Sequence, residues 1–577
     1  MKQTLLGAVL CVGLIGQINA QNTTTSATTD EITNKKEVYF EFDVQDKKDL
    51  NELTKIISID HFDLKTKRVS AYANEKQFEA FKALNIHYHL LTKPSERAPV
   101  KMWDYASNIA AGPCNGVWDA YPTYSAYVQL MNDYATQYPD LCELINIGSS
   151  NDGKDLLVLK ISDNVNQEED EPEFLYTSTM HGDETAGFPL MLHLIDHLLC
   201  NYGSDAEVDN IVNNIELYIN PLANPDGTYS QSNNSVNGAT RSNANGVDLN
   251  RNYPDPEDGP HPDGNAYEIE TQAFMDFAES KHFVMAANLH GGAEVANYPW
   301  DTWGTDHADV DWWVHVSEEY ANNAQADSPF GYFTFGNQGY TNGYDWYEVN
   351  GGRQDYMNYN VRCREFTLEM SNDKTPSGSD LTNLWDYTKQ AFIDYMNQSL
   401  YGIRGIVTDS ITGEPLDAHI FITDHDFNNS DVYSYTPVGD YHRPIYAGTY
   451  TIVASADGYN SKTITNVVVN NNQETRLDIQ LYNPDVSIGV NENETSELSI
   501  FPNPSNGEVQ FYVNKLKGKD FSLSVIDLSG KVIAQQQVQN QADFSVRKMN
   551  LSNVAKGIYI VKLSSELGET QQKLIIE

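Results

Sequence analysis

The spacing of apolar positions changes character several times along the chain, and each change marks a boundary. Residues 1–20 open with Lys2, continue with an apolar run from Leu5 to Ile15 and close with Ile18-Asn19-Ala20 before Gln21. That run is too short to span a bilayer and has the charged start and small-residue end of an export signal. Polar, Thr-rich residues 21–36 follow. Val38 to Val44 then alternates as a strand, Lys48 to Ile57 has helical spacing, Arg68 to Ala73 is a strand, Glu75 to Leu84 a helix and Ile86 to Leu91 a strand. This order predicts a small α+β unit of ferredoxin-like kind, which with its linker fills residues 21–107. In the linker, Lys93, Arg97 and Lys101 are expected to be exposed and open to cleavage.

Residues 108–400 read differently. Glu173 to Met180 is strand-like and Gly187 to Cys200 helical, so His181-Gly182-Asp183-Glu184 falls where a strand ends and before a helix starts. Open α/β sheets place their sites at that end of their strands. From Tyr401 the helical spacing stops. Short alternating runs punctuated by Gly413-Glu414-Pro415, Gly439-Asp440 and Ala447-Gly448 predict a β-sandwich over 401–482. A polar linker, 483–496, leads to a last β-rich unit, 497–577, with turns at Asn503-Pro504-Ser505-Asn506-Gly507 and Leu528-Ser529-Gly530. A length of 577 residues suits such a multidomain chain.

Charge and cysteine content narrow the partners. Acidic residues number 81 against 37 basic ones, a net charge of -44, which disfavours nucleic acid and anionic membranes. Past Leu5 to Ile15 nothing reads as a membrane span. Cys114, Cys142, Cys200 and Cys363 enter an oxidising compartment after export, and sequence leaves open all three pairings of two disulfides and, as the alternative, free buried thiols.

The candidate chemistry begins with His181 and Glu184, followed far downstream by His290 in Asn-Leu-His-Gly-Gly. Two imidazoles and a carboxylate make a three-ligand zinc site with one position open, the arrangement for metal-assisted hydrolysis. Two other pairs are read as structural: His315 and Glu318 as one turn of an amphipathic helix, and His193 and His197 as helix packing, because Leu194 stands where a helical zinc motif carries its glutamate. Activated water needs a proton acceptor, for which Glu369 is the candidate. An exopeptidase must hold a free carboxylate, and Asn250 with Arg251 offer an amide beside a guanidinium fork. Arg241 is the cation to meet charge on a carbonyl oxygen.

Six stretches in one order resemble the zinc carboxypeptidases, and within them the regulatory subfamily of carboxypeptidases N, E, M and D. They are Met-His-Gly-Asp-Glu-Thr (180–185), Asn-Pro-Asp-Gly (224–227), Arg-Ser-Asn-Ala-Asn-Gly-Val-Asp-Leu-Asn-Arg-Asn-Tyr-Pro-Asp (241–255), Ala-Asn-Leu-His-Gly-Gly-Ala-Glu-Val-Ala-Asn-Tyr-Pro-Trp-Asp (287–301), Trp-Tyr-Glu-Val-Asn-Gly-Gly-Arg-Gln-Asp (346–355) and Phe-Thr-Leu-Glu-Met-Ser (366–371). The resemblance implies an α/β catalytic domain at 108–400, a mixed sheet flanked by helices, with one zinc ion on His181, Glu184 and His290. It implies Glu369 as general base and acid, Arg241 polarising the carbonyl, Asn250 and Arg251 gripping the terminal carboxylate, and Tyr347 closing over substrate. Asp248 would orient the first zinc histidine. Asp301 and Gln354 match the positions that line the pocket for a terminal Lys or Arg in the subfamily.

The flanking regions carry resemblances of their own. Residues 401–482 look like the transthyretin-like domain that follows the catalytic domain in the subfamily, and 497–577 resemble the C-terminal sorting domain of the type IX secretion system. The α+β unit sits where zinc carboxypeptidases often carry an inhibitory propeptide, although regulatory relatives often lack one. The expected partners are peptide or protein C-termini and the secretion machinery, and the expected destination is outside the cell or at its surface, reached through periplasm and outer membrane. Two rivals are a related zinc fold that removes acyl groups from amino acids and a non-catalytic adhesin. Neither accounts for Asn250, Arg251 and Glu369 together.

Overall fold

The computed structural model describes residues 37–484 and 497–577 apart from residues 64, 108–110, 330, 517 and 541, so the signal at 1–20, residues 21–36 and most of the 483–496 linker lie outside the described residues. Two compact units divide the chain, Met1–Tyr482 and Asn483–Glu577.

The first unit opens with β1 (Val38–Asp43), α1 (Lys48–Leu53), β2 (Ser58–Asp63), β3 (Arg68–Ala73), α2 (Glu75–Ala83) and β4 (Tyr88–Leu91). The sheet order β2-β3-β1-β4, antiparallel throughout, is that of a ferredoxin-like α+β unit. Strand β2 was not among the sequence expectations, and the helix expected to reach Ile57 stops at Leu53. The reason is a bulge: the register on β3 shifts between Ile59 and His61, so Ile57, Ile59 and Phe62 do not keep a period of two. One linker expectation fails. Lys93 is only 4% exposed and its ammonium lies 3.8 Å from the buried Glu37 carboxylate, whereas Arg97 and Lys101 are exposed.

The linker joins the next domain through β5 (Met102–Trp103), paired with β6 (Tyr121–Pro122). A mixed eight-stranded sheet then runs β13-β12-β14-β11-β9-β10-β8-β7, built from β7 (Cys142–Ser149), β8 (Asp155–Ile161), β9 (Glu173–Ser178), β10 (Glu216–Asn220), β11 (Phe283–His290), β12 (Glu294–Tyr298), β13 (Tyr340–Asn342) and β14 (Arg364–Met370). Its central strands β10, β9, β11 and β14 are parallel. Every residue of β9 and β11 is buried, as expected of parallel strands covered on both faces. Helices α3 (Tyr124–Gln137), α4 (Gly187–Asn201), α6 (Val310–Ala326) and α7 (Gly378–Asn397) share one apolar core with the sheet, and α5 (Ile269–Glu279) packs into a second core with Leu175 and Ala286. His193 lies between the rings of Trp118 and Trp385, centroids 4.4 and 3.9 Å away, and His315 reaches Asn472 from α6. Of the cysteines, Cys114 and Cys200 form a disulfide, while Cys142 and Cys363 are free and buried.

Residues 402–482 form two packed sheets, β18-β15-β21 with β22 on β15, and β17-β16-β19-β20, from β15 (Gly402–Asp409), β16 (Ala418–Ile422), β17 (Val432–Ser434), β18 (Asp440–Arg443), β19 (Gly448–Ser455), β20 (Lys462–Val469), β21 (Glu474–Arg476) and β22 (Ile479–Leu481). Ion pairs fasten this sandwich to the catalytic domain, buried between Asp309 and Arg443 and partly exposed at Asp170, while Arg364 joins Asp309 from within the catalytic domain. Asp309 takes Arg364 at 3.0 Å and Arg443 at 2.8 Å, and Asp170 pairs with Arg404 and Arg476. The second unit has two sheets around one apolar core, with strand orders Glu497–Phe501, Glu508–Asn514, Ser545–Asn550 and Val532–Val538, Phe521–Asp527, Gly557–Ser565, Gly568–Ile576.

Candidate active site

The site sits at the carboxyl ends of the parallel strands. His181 follows β9 by three residues, His290 is the last residue of β11, and Glu369 on β14 pairs in register with His290. His181 Nδ1 lies 3.0 Å from Glu184 Oε2, His290 Nδ1 lies 2.8 Å from the same oxygen, and the two Nδ1 atoms are 3.0 Å apart. All three side chains are buried. With both Nδ1 atoms unprotonated, three lone-pair atoms this close repel one another, and a cation between them removes the repulsion. Two nitrogens and an oxygen about 3 Å apart also match the edge of a tetrahedral zinc sphere. The residues present therefore fit a zinc ion.

The surrounding polar groups orient this trio. Asp248 accepts from His181 Nε2 at 3.0 Å, from Arg241 Nε at 2.9 Å and from the Asn250 amide at 2.9 Å. Arg241 Nη1 donates to Glu184 Oε1 at 3.1 Å, and Lys374 Nζ meets the same oxygen at 2.9 Å. Burial alone would raise the Glu184 pKa, but His181, Lys374 and His290 outweigh it and hold the carboxyl well below its usual range. Glu369 goes the other way. Burial first, then the charge on Glu184, lifts its pKa well above that of a free carboxylate, and its Oε2 is buried without a hydrogen-bond partner.

Beside the trio lies a cleft, partly open to solvent, lined by all the expected site residues except Asp248 and Gln354. Arg251 is 7% exposed and spends Nη1 on the Asn250 carbonyl at 2.8 Å; its Nε and Nη2 have no hydrogen-bond partner. Asn250 accepts the Arg353 amide through Oδ1 at 2.8 Å, which leaves its NH₂ group free to donate. Asp301 Oδ1 accepts from Asn297 Nδ2 at 3.1 Å and from Gln354 Nε2 at 3.2 Å, while the Asp301 and Thr302 amides donate to the buried Asp355. Gly343 is required here, since a Cβ would come within 1.8 Å of Asp301 Oδ1.

The α+β unit also reaches the site. Asp60, on β2, pairs with Lys374, stands 3.5 Å from Arg241 Nη1 and accepts from Tyr39 at 3.0 Å. Tyr72 donates to Asp183, Glu37 accepts the Arg241 and Ser242 amides at 2.9 and 3.2 Å, and the Tyr347 hydroxyl donates to the Ile59 carbonyl at 3.4 Å. Sequence reasoning missed Asp60, Glu37, Tyr72, Asp183 and Lys374. Lys374 stands just beyond the Phe-Thr-Leu-Glu-Met-Ser stretch, and nothing in its own spacing announces it.

Comparison with known proteins decides the family. The family described as "Zinc carboxypeptidase" matches residues 127–391, and the catalytic chain of mouse carboxypeptidase N is 33% identical over 62% of this chain and 85% of that protein. This chain belongs to the zinc carboxypeptidases. Human carboxypeptidase D is 37% identical over 57% of this chain but only 24% of that protein, so the chain spans about a quarter of the length of this relative. A "Carboxypeptidase regulatory-like domain" matches 402–482 and a "Secretion system C-terminal sorting domain" matches 499–577. Among solved structures, the carboxypeptidase A from Helicoverpa armigera aligns at 17% identity and TM-score 0.47 over 63% of this chain and 95% of that one, a likeness too slight to bear on function. Among the described residues, no helix is long and apolar enough to cross a membrane.

Proposed function

We propose that this zinc carboxypeptidase is an exported exopeptidase that removes single C-terminal Lys or Arg residues from peptides and proteins. The observation that carries the reading is Arg251. A buried guanidinium with two nitrogens unpaired, opening on the same cavity as His181, Glu184 and His290, needs an anion, and a peptide's terminal carboxylate supplies one. Asn250 adds an amide donor and Tyr347 stands at the cavity wall.

The zinc ion would supply a Lewis acid that polarises the scissile carbonyl and lowers the pKa of water. Glu369, whose proton affinity burial raises, is placed to take a proton and return it to the leaving amine. Arg241 stabilises charge on the carbonyl oxygen. Asn297 and Gln354 both turn their NH₂ groups to Asp301, so their carbonyl oxygens are left buried and without partners. A wall of acceptors around a carboxylate favours a cationic side chain, and an apolar one would leave it uncompensated at a cost of about 2–5 kcal/mol.

In the uncut chain the α+β unit acts as an inhibitory propeptide. Asp60 engages Arg241 and Lys374 where substrate would approach, and Tyr347 is tied to β2. Arg97 and Lys101 are the accessible cleavage points. Residues 497–577 would then direct type IX export across the outer membrane. Hydrolysis of matched peptides ending in Arg and Phe tests the central reading: turnover abolished by a chelator and by Glu369→Gln, with preference for Arg, is expected. Equal or better use of Phe would remove the specificity assignment, and unchanged turnover in Glu369→Gln would remove the mechanism.

A further inference from the structure

We infer that Asp255 is a positioning residue that fixes the distance between the groups holding the substrate's terminal carboxylate and the pocket that receives its terminal side chain. The inference rests on Asn250 and Arg251 as the carboxylate grip and on Asp301 and Gln354 as the pocket, and it adds how the two are kept in register.

Three stretches of chain build these subsites: 250–255, 301–302 and 350–355. Asp255 is 5% exposed, and its carboxylate reaches both of the other stretches. Oδ2 accepts the Gly351 amide at 2.9 Å, and Oδ1 accepts the Thr302 hydroxyl at 3.2 Å. Gly351 leads into Gln354, and Thr302 is the neighbour of Asp301. Asp355 closes the third side of the triangle by accepting the Thr302 amide at 2.8 Å and the Asp301 amide at 3.0 Å. Asn350 Nδ2 donates to the Thr302 hydroxyl at 3.2 Å, so that buried hydroxyl both accepts and donates.

The 350–355 stretch is also seated directly on the grip. The Tyr253 amide donates to the Gly351 carbonyl at 3.1 Å, and the Arg353 amide to Asn250 Oδ1 at 2.8 Å. Gly351 has a φ of +71°, and a Cβ there would come within 2.4 Å of the Arg251 carbonyl oxygen, so no side chain can stand between the two. Asp255 does more than shape its own turn. The Glu257 and Asp258 amides, at 2.9 and 2.8 Å, use Oδ1 alone, which leaves Oδ2 for the contact across the site. A substrate's last residue must meet the grip at its carboxylate and Asp301 at its side-chain end. The held distance therefore measures the methylenes between them.

The test compares kcat/KM of the zinc-loaded full chain on peptides that differ only in their last residue: Lys against ornithine, one methylene shorter, and Arg against homoarginine, one methylene longer. Such ratios do not depend on how much of the enzyme the α+β unit covers. The parent is expected to prefer Lys and Arg by about tenfold or more. Asp255→Asn, which replaces one of the two acceptor oxygens by a donor, is expected to shrink both ratios by about threefold or more, and Thr302→Val to shrink them less. A residue that only stabilised the fold would lower all four rates together and leave the ratios alone. Ratios within about twofold of the parent's in both variants, or a parent that treats each pair alike, overturn the inference. If Asp255→Asn does not fold, Thr302→Val is held to the same criterion. Asp301→Ala separates the layers. Preference for Lys and Arg over Phe that survives Asp301→Ala removes the pocket reading beneath, whereas preference lost there with length ratios unchanged in Asp255→Asn removes only the role of Asp255.

Discussion

Replacing Asp60 by Asn examines the proposed covering role of the α+β unit with the smallest change in shape. Asp60 is 5% exposed at its side chain and contacts two cations, Lys374 and Arg241, besides Tyr39. Truncating one partner of a buried charge pair costs about 2–5 kcal/mol. Here the lower half of that range applies, because Lys374 and Arg241 keep Glu184 and Asp248 as partners and are not orphaned. A loss of about 2–3 kcal/mol in the hold of the α+β unit raises the uncovered fraction roughly 30–150-fold. The assay is the initial rate of the uncleaved chain on a peptide ending in Arg, set against the same protein after limited proteolysis at Arg97 or Lys101. A comparable rise in rate is expected for uncleaved Asp60→Asn, with little change after proteolysis. An uncleaved variant as slow as its parent, or an uncleaved parent as fast as the cut enzyme, refutes the reasoning.

Three further outcomes follow from other contacts. Arg251→Gln removes a two-nitrogen grip on the terminal carboxylate and is expected to lower kcat/KM by about 3–4 kcal/mol, some 10²–10³-fold, while leaving the thermal midpoint near that of the parent; a loss below tenfold contradicts the assignment. Burial pushes the Asp301 carboxyl up to about 6, so it becomes neutral as pH falls below that value. KM for Arg-ending peptides should therefore rise below about pH 6 while KM for Phe-ending ones does not, and parallel profiles would count against Asp301. Glu171 and Glu173 are lifted to about 8 and about 7, chiefly by burial, so between the free carboxylate value and these values the folded chain holds more protons than the unfolded one. Their contribution to stability is full in acid and is lost as pH rises through 7 to 8; Glu171→Gln should flatten that decline in thermal midpoint, and an unaltered slope would refute it.

Much of the site was legible because its residues cluster in short stretches whose chemistry is local: His181 with Glu184, Asp248 with Asn250 and Arg251, Asp301 within the His290 stretch. The strand ends that carry them also follow from local patterning. What escaped depends on folding at a distance. Asp60 and Lys374 are 314 positions apart, and the strand that bears Asp60 conceals its alternation behind a bulge. Lys93 looked exposed because it opens a Pro- and charge-rich stretch after Leu91, yet its partner Glu37 lies at the other end of the α+β unit. The pairing of Cys114 with Cys200 could not be chosen from spacing among four thiols.

The ladder between β11 and β14 sets His290 directly across from Glu369, and that between β9 and β11 sets Leu289 across from Ser178, three residues before His181. The spacing of His290 and Glu369, the proposed ligand and proton acceptor, is therefore inherited from interior hydrogen bonding. Amide exchange along these three strands should be as slow as global unfolding permits, and metal loss and unfolding should share one transition. On the proposed reading, a chain with so stiff a centre is adjusted from its periphery, at the α+β unit and the loop of Tyr347, where natural variation can alter turnover without dismantling the chemistry.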